Sequence, residues 1–247
     1  MSGASSQRSD VPAETPAGRA AVSQNPLIAT IVRIAAIWIV SDAGYYLVLP
    51  ALGVRSSYNA ASVGIALYYF FWIGIAVIAF WDLYKDWAKF ENRAASYAVW
   101  TLAFGGCTLF AAFILPQWPA ANWTADFAPP DLALATEWYF LPKSMDILFQ
   151  QLLIAAFVLA LSVRGFSLKQ ISVYSAALFG ASHVLLAFGG VPFGYVVRFM
   201  VAATLFGLLF PYLILRVPNG LGYSYVVHWT YYAATVAMVR FFGAPAA

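Results

Sequence analysis

The sequence predicts an all-α, polytopic membrane bundle of about seven transmembrane helices, and three observations carry that reading. Of 247 residues, 63% are hydrophobic and only 9% are charged, whereas a soluble domain carries roughly a quarter charged residues. Mean hydropathy is +0.77. Seven apolar stretches are long enough to cross about 30 Å of hydrocarbon, which takes roughly 20 helical residues. In lipid such a segment satisfies its own backbone only as a helix. The net charge of +3, from 13 basic and 10 acidic residues, is too small and scattered for a nucleic-acid partner. The single Cys107 excludes an internal disulfide and a cysteine-based metal cluster.

Residues 1–25 are rich in Ser, Ala, Pro and Gly and show no apolar period, so they read as a disordered tail without signal-peptide layout. The spans follow near 27–49, 60–81, 94–115, 143–163, 170–189, 194–215 and 221–242. The first contains Arg33 and Asp42 and is the one expected to be broken or tilted. Between the third and fourth lies a long loop, 116–138, with Trp118, Trp123 and Trp138 placed as an interfacial aromatic belt. Asn122-Trp123-Thr124 matches a glycosylation acceptor, a pattern short enough to arise by chance.

Lysine and arginine set the expected orientation. Arg8, Arg19, Lys85, Lys89, Arg93, Arg164, Lys169 and Arg216 fall on one side. Arg55, Lys143, Arg198 and Arg240 are isolated on the other, where the long loop carries Asp126, Asp131 and Glu137 and no basic residue. This predicts an integral protein of a bacterial inner membrane with a cytoplasmic amino terminus and an outer carboxyl terminus. A retinal protein is excluded, because none of the four lysines lies in the last span to form a Schiff base.

Polar side chains at membrane depth are costly and face the bundle interior, so each is a candidate for function. Asp146 and Gln150 are four apart on the fourth span and share a face. Ser175, Phe179 and His183 repeat that spacing on the fifth. Ser224, His228, Tyr231 or Tyr232, and Thr235 form a third stripe on the seventh. Three stripes predict one shared interior pocket. Taken singly, each residue also suits the ordinary role of a hydrogen bond across packed helices, worth about 0.6–2 kcal/mol. Arg198 and Asp146, near the outer ends of their helices, are expected to form a structural ion pair.

The last hundred residues resemble a known family. Phe179-Gly-Ala-Ser-His183, followed by His228 after a Pro218-Asn219-Gly220 turn and a Gly-rich loop at 189–194, is similar to the CPBP family of CAAX-prenyl-protease-like and bacteriocin-processing membrane proteins. The resemblance divides the chain into the tail, three amino-terminal helices with the outer loop (26–142), and a CPBP-like core of four helices (143–247). Family motifs are a Glu-Glu pair followed four residues on by Arg, a Phe-x-x-x-His, and a His-x-x-x-Asn. Here Gln150 and Gln151 stand for the two glutamates, Ala155 for the arginine, and Tyr232 for the closing asparagine. In active members the glutamate is thought to activate water and a histidine to stabilise the oxyanion. A neutral amide neither takes up nor returns a proton near neutral pH, and losing a general base costs about 10²–10⁴-fold in rate.

The resemblance therefore implies the fold and argues against its standard chemistry. The expected function is a pseudo-protease that binds or supports a membrane partner (a helix, a lipid or a pigment) through the former active-site cavity. Gln150, Gln151, His183 and His228 are expected to line that cavity, with Gln150 bonded to the histidines, Phe179 beneath His183, and Tyr231 or Tyr232 closing one side. One alternative is an active endopeptidase using Asp146 as a displaced carboxylate with His183 and His228. Another is a bis-histidine cofactor subunit, although His183 and His228 are expected about 9 and 20 Å below the outer helix ends. A transporter is disfavoured by the lack of an inverted repeat. No cofactor and no metal are predicted.

Overall fold

The computed structural model describes residues 27–87, 93–121 and 130–243. The tail, Lys89, the Asn122-Trp123-Thr124 tripeptide and Asp126 lie outside the described residues. Among those described, the protein is all helical. Helix α1 (Leu27–Ala43) runs through a wide π-turn, Gly44–Val48, and ends at Ala51. Helix α2 (Ser62–Ala79) leads into a short α3 (Trp81–Trp87). Helix α4 (Arg93–Leu109) also closes through a π-turn, Phe110–Ile114. Then come α5 (Phe140–Ser162), α6 (Leu168–Ser182) with a 3₁₀ extension to Gly189, α7 (Phe193–Arg216) and α8 (Gly220–Phe242).

Six of these segments are long and apolar enough to cross a membrane: 27–51, 62–79, 93–117, 137–162, 168–188 and 193–216. The chain is an integral membrane helical bundle. The seventh expected span, α8, has the length at 23 residues. Its Tyr, Ser, His, Trp and Thr side chains make it less apolar, and Ser224, Tyr225, His228, Trp229, Tyr232 and Thr235 are buried against α4, α5 and α7. The first span is neither broken nor interrupted. It widens by one turn where the Tyr68 hydroxyl donates to Ser41 O (2.6 Å) and where only a glycine, Gly44, leaves room beside that phenol.

Helix α5 is the centre. Most of its residues are buried, and it packs against α1, α2 and α3 on one side and α6, α7 and α8 on the other. The expected division at 142–143 falls inside the first turn of this helix, which packs on both groups. Helix α4 lies outside, against α8. At one end of the bundle the loops before α2 and α5 are stitched together. Asp131 Oδ2 accepts the Tyr58 N–H (2.8 Å), Asn59 Nδ2 donates to Asp131 O (3.0 Å), and the Thr136 N–H donates to Asn59 Oδ1 (2.9 Å). Tyr45 and Ser56 exchange hydroxyl–carbonyl bonds and tie the first loop to α1.

A Ser167–Gln170 capping box starts α6, and glycine lets it meet α7 closely. A Cβ on Gly207 would stand 2.6 Å from Ala176 N and 2.7 Å from Ser175 C. Both are backbone atoms, so the helices would have to separate. Gly207→Ala is expected to lower stability by about 1–3 kcal/mol, read as an earlier thermal unfolding in detergent. Gly105→Ala, whose Cβ would meet nothing within 4 Å, should change stability by less than about 0.5 kcal/mol.

Candidate functional site

The polar residues of α5 divide into two centres one turn apart. Gln151, fully buried, points to α8. Its Nε2 lies 3.2 Å from His228 Nδ1, and its Oε1 accepts from Ser224 Oγ at 2.8 Å. An amide nitrogen only donates, so His228 Nδ1 carries the lone pair and Nε2 carries the proton. Ser224 and His228 are four apart on α8, which places both on the face that meets Gln151. The sequence reading gives this contact to Gln150; the structure gives it to Gln151, because the next residue on a helix is turned by about 100°.

Gln150 faces the loop-stitched end instead. Its Nε2 donates to Asp146 Oδ1 at 2.8 Å. Asp146 Oδ2 accepts from Lys143 Nζ at 2.8 Å and from the Tyr58 hydroxyl at 3.0 Å, and the Tyr58 and Tyr69 hydroxyls are hydrogen-bonded at 3.0 Å. The Lys143 and Asp146 side chains are 9% and 6% exposed. Lys143 Nζ also stands 3.9 Å from the Tyr232 ring centroid and 5.2 Å from that of Tyr58, a cation–π arrangement. Burial and the Asp146 charge push the loop phenol of Tyr58 well above its ordinary pKa, so it remains a donor.

The expected Arg198–Asp146 ion pair does not form. Asp146 takes its cation from Lys143 one turn earlier on its own helix, and Arg198 Nη2 donates to Thr235 Oγ1 at 3.1 Å. Lys143, Tyr58 and Tyr69 are the site residues sequence reasoning missed, whereas Ser224 belongs to the stripe it singled out. The Lys-x-x-Asp spacing was the available signal for the first. For the loop tyrosine there was none.

His183 begins the 3₁₀ extension of α6. Its Nδ1 donates to Phe179 O at 2.8 Å, which leaves the lone pair on Nε2. Phe179 packs edge-on against both imidazoles, at 5.0 Å from His183 and 5.7 Å from His228 between ring centroids. Rings of Phe206, Phe210 and Tyr232 enclose His228 at 5.4, 6.0 and 5.6 Å, and Tyr231 packs on Phe206 and Phe199. The expected polar-lined hollow is filled by these aromatic side chains. A small hollow of about 10 Å³ lies beside it, between α1, α5 and α6, and its lining is apolar apart from Ser175: Ile34, Trp38, Leu153, Ile154, Phe157, Leu178 and Phe179.

Chemically, the glutamine–histidine centre satisfies an imidazole with a neutral group, and the Lys143 centre neutralises a carboxylate. Among the described residues no three His, Cys, Asp or Glu side chains come together as a metal-holding group. No family model matches the chain, and no curated protein or solved structure is significantly similar to it.

Removing one member of a buried ion pair costs about 3–5 kcal/mol, because the other charge is left uncompensated. Lys143→Met should therefore lose about that much stability in detergent unfolding. The double change Lys143→Met with Asp146→Asn should recover most of it, a coupling a double-mutant cycle measures directly.

Proposed function

We propose that the chain is a non-hydrolytic membrane protein related to the CPBP family, a pseudo-protease that supports a membrane partner. The observation that carries this reading is the Gln151–His228 contact. An imidazole that hydrolysis would pair with a proton-accepting carboxylate is paired with an amide, and that amide is itself held by Ser224. Nothing in this arrangement activates water.

Two further observations support it. The acid nearest along α5, Asp146, has both oxygens occupied, by Gln150 on one and by Lys143 and Tyr58 on the other. A displaced-acid peptidase draws no support from such a carboxylate. His228 is closed in by aromatic rings and His183 commits one nitrogen to a backbone carbonyl, so a bis-histidine cofactor draws none either. With the interior filled, the surface that meets a partner is the outer face of the bundle rather than the former cavity.

Orientation is part of the same proposal. Lys85, Arg93, Arg164, Lys169 and Arg216 collect at the end where α5 finishes and α6 begins. At the other end Lys143 is neutralised by Asp146, and Arg240 donates to Leu115 O and Ala135 O. The basic end is the cytoplasmic one under the positive-inside rule.

Purified in mild detergent, the chain should leave model transmembrane peptides uncleaved and should co-isolate with a membrane partner at fixed stoichiometry by mass spectrometry. Cleavage abolished by His183→Ala would overturn the reading. For orientation, Ser57→Cys should react with a membrane-impermeant thiol reagent on intact cells, and Lys169→Cys only after the membrane is opened. The buried native Cys107 should contribute little background.

A further inference from the structure

We infer that the α7–α8 face at the loop-stitched end is a binding site for a phosphate-bearing amphiphile, with Arg198 as its cation and the Tyr231 hydroxyl as its second donor. The site is separate from the glutamine–histidine centre and stands or falls independently of the proposed function. Arg198 lies five residues into α7, about 8 Å along its axis, where an uncompensated charge is expensive. Its hydrogen bond to Thr235 Oγ1 uses one of five N–H donors. Among the described residues no carboxylate forms an ion pair with it.

Two other arginines within the helices, Arg33 and Arg240, show what a structural role looks like here. Arg33 donates to Ala79 O at the end of α2, and Arg240 donates to Leu115 O and Ala135 O. Each closes carbonyls that a helix end or turn leaves open. Arg198 donates to no carbonyl among the described residues. Thr235, whose hydroxyl also bonds to Tyr231 O at 2.9 Å, holds the guanidinium in one direction. Beside it stands the Tyr231 phenol oxygen, within reach of the Arg198 and Thr235 side chains and with its own hydrogen left to donate.

A planar guanidinium matches two oxygens of a phosphate at once, and the phenol supplies a donor for a third. Val197, Val201 and Phe193 are exposed on the same part of α7, so the approach to the cation is hydrocarbon. An anion joined to acyl chains satisfies both surfaces. A free phosphate ion shares the headgroup chemistry but gains nothing from the walls.

The test uses the full chain in detergent, with retention by native mass spectrometry and thermal unfolding as paired readouts. Phosphatidylglycerol should be retained and raise the unfolding temperature; phosphatidylcholine and inorganic phosphate at equal concentration should do neither. Arg198→Gln should weaken phosphatidylglycerol binding about tenfold or more, the effect of losing about 1.4 kcal/mol of charge-assisted bonding. Tyr231→Phe, which deletes one neutral donor and keeps the cation, should weaken it less, and Arg33→Gln should leave it unchanged. If Arg198→Gln does not fold, Arg198→Lys, which keeps the charge but not the fork, carries the test with an intermediate loss. Retention of phosphatidylglycerol by Arg198→Gln, or by Arg198→Lys if the glutamine variant does not fold, equal to that of the native chain would overturn the site, as would equal retention of phosphatidylcholine by the native chain. An equal effect of inorganic phosphate would overturn the lipid as its source.

Discussion

Helix α5 is buried along most of its length, and most of the structure follows from that. A helix largely surrounded by other helices must place each buried polar side chain opposite a neighbour that completes it, because neither water nor headgroup is within reach there. Lys143, Ser144, Asp146, Gln150 and Gln151 occupy three turns of it. Each finds a partner: Lys143 and the Gln150 amide nitrogen in Asp146, Ser144 in Trp229 and the Phe140 carbonyl, Gln151 in Ser224 and His228; among these groups the Gln150 carbonyl oxygen alone is left without one. The surrounding helices are thereby indexed to α5 by hydrogen bonds of definite length, on top of less specific apolar packing.

The two centres on α5 differ in character although adjacent residues build them. One is ionic and reaches outward through Tyr58 to the stitched loops, so it couples the helical bundle to its loop-rich end. The other is neutral and sealed among Phe179, Phe206, Phe210 and Tyr232. In a low-dielectric interior a neutral amide–imidazole contact holds helices together without the desolvation penalty that a carboxylate–imidazolium pair carries. That difference favours permanence over reactivity.

Much of the fold is legible in the chain because long apolar runs leave few options in lipid. The seven stretches read from composition match the helices within a few residues, and Gln, His and Ser at four-residue spacing do face the interior. What sequence reasoning missed depends on rotation and filling. One step along α5 decides whether Gln150 or Gln151 meets His228, and one turn decides whether Asp146 finds Lys143 or waits for Arg198. The wide turn in α1 has no pattern of its own beyond a glycine beside a phenol. An interior pocket and a packed aromatic cluster call for the same residue types, so only the ring positions distinguish them.

The pairing of Lys143 with Asp146 within a single helix bears on biogenesis. Charges that cancel only after distant helices meet must enter the bilayer exposed and wait for assembly. Here the two lie one turn apart, so the segment can leave the translocon as a net-neutral unit that needs no partner charge from another helix. The most heavily surrounded element of the bundle is in this way able to join the helices already inserted and serve as the post around which α6, α7 and α8 gather.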